Sequence, residues 1–116
     1  MRNFQQLAVW QKSHELTLKI YKISQSFPKE ELFGLTSQIR RAAMSIPTNI
    51  AEGSGRDSDA EMKRFLVISS GSCSEVEYQT LLAKDLGYIS ETVFIALKED
   101  IQSIRKMLYA FIKRLK

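Results

Sequence analysis

The sequence predicts an all-α protein, an antiparallel up-and-down four-helix bundle with a proline-kinked second helix. Three observations carry that class. Apolar residues recur at steps of three and four through four successive segments. No segment alternates as a half-buried strand does. Glycines and prolines sit between or near the ends of the periodic segments, Pro47 and Gly71 excepted. With 116 residues, the chain fits a single domain spanning 1–116. That length buries a core without metal or disulfides.

The first helix is expected from about Val9 to Ser26, with Leu16, Ile20, Ile23 and Phe27 on one stripe. Lys12, Glu15, Lys19 and Lys22 form its wet face. Pro28 stops it and opens a connection to Gly34. The second helix carries Leu35, Ile39, Ala43, Ile46 and Ile50 on its apolar stripe, opposite Gln38, Arg41, Ser45, Asn49 and Glu52. Ser58 with Glu61 three residues later is a capping box that starts the third helix. It runs to Leu86, with Gly87 placed for the left-handed cap conformation. The fourth follows Ser90. Phe94, Leu97, Ile101, Ile104, Leu108, Phe111 and Leu115 form a heptad seam there, repeated more loosely by Phe65, Ser69, Ser72, Val76, Gln79, Ala83 and Leu86 of the third.

Pro47 is the anomaly. It interrupts a stripe that continues in phase from Ile39 through Ile46 to Ile50. A proline there removes one donor and frees the carbonyl of Ala43. Ser45, Thr48 or Asn49 are placed to bridge the disturbed turn. A kinked helix is favoured over one that ends at Ser45 and restarts at Pro47.

Composition excludes several classes. The longest apolar run, Val93 to Leu97, is far short of the ~20 residues a membrane span needs. Met1 to Phe4 leads into no signal-type apolar core. Cys73 is the single cysteine, so no disulfide framework exists and a reducing cytoplasm is the expected home. Net charge is +4 over residues 1–29, −4 over 30–97 and +4 over 98–116. In an up-and-down bundle the first and last helices are neighbours. The two basic ends are therefore expected side by side on one positive face.

No active site assembles. His14-Glu15 begins like a zinc-protease helix, but Leu18 stands where the second histidine belongs. Glu-x-x-His pairs of di-iron bundles are absent, and neither metal nor cofactor is expected. Cys73 has no histidine partner and reads as a packing residue. Gly53-Ser54-Gly55-Arg56 lacks the lysine and spacing of a phosphate loop and reads as a helix–helix turn.

Apolar surface is left over. Val93, Ile95, Met107, Tyr109 and Ile112 lie off the seam of the fourth helix, and Trp10, Leu18 and Tyr21 add to the first. Either a wide stripe inside a monomer or contact with other copies absorbs them. Glu52 and Glu75 sit on small or apolar parts of their helices, within expected reach of Arg40, Arg41 or Arg64. An inter-helix ion-pair network is expected from them rather than acid–base catalysis.

The stretches LAVWQKSHEL, FPKEELFGLTSQIRRAAMSIPTNIAEGSGR and GSCSEVEYQTLLAKDLGYI resemble the bacterial four-helix-bundle family encoded in intervening sequences of 23S ribosomal RNA genes. The chain also resembles the related accessory variability determinant of diversity-generating retroelements. Nearly the whole chain is covered, and the Ser45 to Gly53 core is specific, with Pro47, Asn49, Glu52 and Gly53 in it. The resemblance implies a four-helix protomer, a ring-like homopentamer and no enzymatic activity. For the retroelement branch it implies a basic surface engaging RNA or DNA and a reverse transcriptase. Where that family often reads Ala-Arg-Gly-Ser, this chain reads Ser69-Ser70-Gly71-Ser72. Gly71 and Ser72 keep the close helix approach, but a basic contribution is lost at Ser70.

Candidate phosphate-binding residues are Lys12, Lys19, Lys22, Arg40, Arg41, Arg56, Arg64, Arg105, Lys106, Lys113 and Arg114. The expected function is a non-enzymatic, homo-oligomeric accessory protein that binds nucleic acid non-specifically, with a reverse transcriptase or ribonucleoprotein as partner. The alternative is a protein–protein assembly scaffold. A continuous basic face favours the first; basic side chains neutralised by acidic neighbours favour the second.

Overall fold

The computed structural model describes residues 2–116, and in them the apolar spacing becomes four helices. They are α1 (Ala8–Ser24), α2 (Leu35–Ser54), α3 (Asp59–Asp85) and α4 (Glu91–Arg114). Short 3-10 turns, Phe4–Gln6 and Lys29–Glu31, precede α1 and α2. There is no strand among the described residues. The arrangement is an all-α four-helix protein.

Its ends follow local chemistry. Ser58 and Ser90 accept the backbone N–H of Glu61 and Val93 at 3.2 and 3.1 Å, capping α3 and α4. At the far end of α3, Gly87 takes φ +80°. Tyr88 N–H donates to the Ala83 carbonyl at 2.8 Å and Gly87 N–H to that of Lys84 at 2.9 Å. This is a Schellman motif, which a side chain at Gly87 would strain.

Side-chain contacts fix how the helices meet. Thr17 of α1 reaches Ala43 of α2, while Arg40 reaches back to Ser24. Ser69 and Ser72 of α3 reach Ile46 and Ser45 of α2. Arg105 of α4 reaches Glu77, and Lys84 reaches Glu91. Residue numbers thus fall along one helix as they rise along its neighbour. The core between them includes Leu16, Ile20, Ile39, Ile46, Leu66, Val76, Ile101 and Leu108, all essentially sealed from solvent. Each such side chain contributes on the order of 2 kcal/mol.

α2 runs unbroken across Pro47, so the two-helix alternative is excluded. Contrary to expectation, the orphaned Ala43 carbonyl is not bridged by Ser45, Thr48 or Asn49 of its own helix. Thr17 Oγ1 donates to it at 3.2 Å, sharing its proton with the Ser13 carbonyl at 2.8 Å. Asn49 bonds instead to the Ser45 carbonyl and hydroxyl, at 2.8 and 3.0 Å. Reading α2 alone could not show a donor supplied by α1.

A second correction concerns glycine. An added Cβ at Gly71 meets nothing within 4 Å, so Gly71 does not mediate a close approach inside the protomer. Gly53 does. A Cβ there lies 2.9 Å from both Met62 Sδ and Phe65 Cβ of α3. Phe65 Cβ is fixed to the backbone and cannot yield cheaply.

Two outcomes follow. Thr17→Val leaves a buried carbonyl unpaired and should cost about 1–3 kcal/mol in urea unfolding. In a Pro47→Ala background the restored amide takes that carbonyl, so the same substitution should cost measurably less. Additive costs would disprove the exchange. Gly53→Ala should lower the midpoint, its overpacking of about 1–3 kcal/mol outweighing the ~1 kcal/mol propensity gain. Gly71→Ala should not lower it.

Candidate nucleic-acid interface

The predicted positive wall is partly dismantled by acids packed into it. α1 and α4 do lie together. At their boundary, however, Asp100 takes Lys19 at 2.8 Å and Lys12 at 3.7 Å. Arg105 is held by Glu77 at 3.0 Å and by Ser74 at 3.3 Å. Three of the expected phosphate ligands are therefore already countered. Arg40 is occupied too, donating to Ser24 Oγ at 2.8 Å and the Tyr21 carbonyl at 3.3 Å, with its guanidinium over the Tyr21 ring. Lys22, Arg41 and Lys106 remain exposed and have no ion pair within 4.0 Å among the described residues.

Cations do gather at one end of the molecule, where α1 and α3 begin and α2 and α4 finish. Arg2 anchors that end through Asp59 at 2.9 Å and its own N–H to the Ser54 carbonyl at 3.0 Å. Arg56, Lys63, Arg64, Lys113, Arg114 and Lys116 surround it, against Glu52, Asp57, Asp59 and Glu61. Aromatic rings position several of these heads. Arg56 and Arg64 lie over Phe65 at 5.0 and 5.3 Å, Arg114 over Phe111 at 5.4 Å, and Lys113 over Tyr109 at 5.1 Å. A ring face holds a cation without neutralising it, unlike a carboxylate. The Arg2 guanidinium bonded to Asp59 keeps that carboxyl below its usual range, helped by the Lys116 N–H.

The expected Glu52–Glu75 network does not form. Glu52 is exposed and pairs only with Arg56, just past the end of its helix, at 3.4 Å. Glu75 is exposed and has no ion pair within 4.0 Å among the described residues. Both carboxylates point outward from the α2–α3 seam, so no buried charge demands a partner. Arg64 pairs weakly with Glu61 at 3.9 Å.

Half of the leftover apolar surface is absorbed and half is not. Val93, Met107, Ile112 and Trp10 pack against the core from its edge. Leu18, Tyr21, Ile95 and Tyr109 stay exposed, and so do Met44, Val67, Ile68 and Tyr78, which the seam analysis passed over. An open groove of ≈ 810 Å³ runs between α1 and α2, edged by Leu18, Tyr21, Met44, Thr48 and Glu52. At its lower end Trp10 stacks on His14, with ring centroids 4.9 Å apart.

No group of three or more His, Cys, Asp or Glu side chains that might hold a metal occurs among the described residues. None of the helices among them is long and apolar enough to cross a membrane. Cys73 is buried, which pushes its thiol up to about 11. It should therefore resist a disulfide reagent at pH 8 in the native state and react on unfolding. Rapid native labelling would contradict that burial.

Comparison places the fold among known proteins. The sequence model of the 23S rRNA-intervening sequence protein family matches residues 5–110. Among solved structures, the chain is similar to a protein of unknown function from the S23 ribosomal protein family of Bacteroides thetaiotaomicron. The two share 28% identity and a TM-score of 0.85, over 91% of this chain and 99% of that one. No curated protein matches the chain.

Proposed function

Since the chain belongs to the 23S rRNA-intervening sequence protein family, we propose that it acts as a non-enzymatic, self-associating accessory protein that holds nucleic acid by its phosphates. The contact surface is the basic end of the bundle rather than the α1–α4 wall. One observation carries this reading: the cations at that end are propped on Phe65, Phe111 and Tyr109. Lys63, Lys113, Arg114 and Lys116 there have no ion pair within 4.0 Å among the described residues. Such a surface offers charge and few groups that read base edges, so it selects phosphate over sequence.

A second reading, a protein scaffold that ignores nucleic acid, draws on Asp100 and Glu77. By pairing Lys12, Lys19 and Arg105 they remove the continuous basic face along the bundle.

Titration of generic RNA and duplex DNA at two salt concentrations separates the readings. Binding is expected at low salt, with a slope of about 0.9 in log affinity against log salt for each duplex phosphate neutralised. Reversing Lys63, Lys113 and Arg114 to glutamate should abolish it, whereas reversing Lys12 and Lys19 should change it little. Absence of binding at low salt, or indifference to the triple reversal, overturns the nucleic-acid reading and leaves the scaffold reading in possession.

A further inference from the structure

The last turns of α4 turn a face of one sign to solvent. Residues 102–116 carry Arg105, Lys106, Lys113, Arg114 and Lys116 and no aspartate or glutamate. Gln102, Lys106, Tyr109 and Lys113 follow one another there by steps of four, three and four, which places them on one side of the helix. All four are exposed. Lys106 and Lys113 have no ion pair within 4.0 Å among the described residues. Two acids of α3 reach toward this part of the chain, and both are engaged. Glu77 is held by Arg105 at 3.0 Å, and Asp59 by Arg2 at 2.9 Å and the Lys116 N–H at 3.2 Å.

Between the two lysines lies an open ring. Tyr109 is 62% exposed, whereas Phe65 and Phe111, which prop other cations of this end, are 8% exposed each. The Lys113 ammonium rests over Tyr109, 5.1 Å from the ring centroid, a contact that is weak at an exposed site. Other exposed tyrosines are placed differently. Tyr78 stands among Glu75 and Glu77 in the chain, an acidic setting. Tyr21 lies 4.9 Å beneath the Arg40 guanidinium, which bonds to Ser24 and the Tyr21 carbonyl hold in place. A lone exposed tyrosine calls for no explanation. An open ring between two unpaired lysines offers more: charge for phosphates on either side and a flat π face for what lies between them.

We propose that Tyr109 is a stacking platform for an unpaired base, and that the ligand of the basic end is single-stranded nucleic acid whose phosphates Lys106 and Lys113 take on either side. The two lysines are seven positions apart, about 10 Å along the axis at ~1.5 Å per residue, with the ring between them. On docking, Lys113 leaves the ring for a phosphate and a base takes the face it vacates. A duplex cannot use that face, because its bases are stacked on one another and show only their edges in the grooves. Stacking tolerates any sequence, since every base has a π face, so the site stays blind to base identity. This assignment rests on the phosphate contact proposed above and narrows its ligand to an unpaired strand.

Fluorescence anisotropy at low salt tests it with labelled probes of equal length: oligothymidylate, an abasic strand, and the oligothymidylate paired with oligoadenylate. The quantity read is the ratio of affinity for oligothymidylate to affinity for the abasic strand. That ratio cancels the phosphate contacts and whatever Lys113 loses with its ring. It should be roughly fivefold to a hundredfold for the unaltered chain, fall to about one in Tyr109→Ala and persist in Tyr109→Trp. Lys106→Gln and Lys113→Gln should weaken every probe while leaving the ratio in place. A ratio of about one for the unaltered chain, a ratio that survives Tyr109→Ala, or its loss in Tyr109→Trp overturns the stacking site while phosphate binding stands. So does a Tyr109→Ala protein that loses duplex and oligothymidylate equally. Failure of every probe to bind overturns the phosphate reading together with the platform.

Discussion

The carbonyl of Ala43 is the constraint around which this molecule is arranged. Proline at position 47 removes the amide that would have served it, in a helix buried against both neighbours. A donor has to come from outside α2, and Thr17 supplies it at 3.2 Å. That bond ties α1 to α2 at one height. On the opposite side Ser69 donates to the Ile46 carbonyl at 2.9 Å, and Ser72 to Ser45 Oγ at 2.9 Å. Gly53 lets α3 come close near the end of α2. The central helix is thus gripped by hydroxyls from two sides, and sliding either neighbour by a turn strands at least one buried polar group.

Much of this was legible in the sequence because it depends on local periodicity. The Leu35–Ile50 stripe, the serine caps and Gly87 depend on residues within a turn or two of one another. What escaped depends on residues far apart in the chain. Thr17 is one hydroxyl on an amphipathic helix, and nothing near it in the chain announces a partner at Ala43. Gly53 and Gly71 are indistinguishable as letters in helical segments, yet one is wedged between Met62 and Phe65 and the other faces open space. Glu52 and Glu75 sit among small or apolar residues in the chain, which suggests partners in Arg40, Arg41 or Arg64, yet both are exposed and make no such pair. Periodicity gives a residue's angle around its helix; only the packing of the whole bundle says which angle is covered.

Counting charge along the chain failed for a related reason. The basic segment 98–116 contains Asp100, and that carboxylate sits where two lysines of α1 converge on it. Glu77, from the acidic middle of the chain, does the same to Arg105. A face assembled from three helices takes its sign from all three. At the end of the bundle the balance differs, because several cations there rest on aromatic rings that leave their charge intact.

Two surfaces remain unexplained by the core, the cations at one end of the bundle and the exposed apolar residues along its side. α2 and α3 run in opposite directions within a protomer, as the Ser45–Ser72 and Gly53–Met62 contacts require. That alternation brings the start of α3 beside the finish of α2 and of α4. Lys63 and Arg64 therefore meet Arg56, Lys113 and Arg114 at one end, although these residues are far apart in the chain. Connectivity, more than the charge of any one segment, is what gathers the cations there.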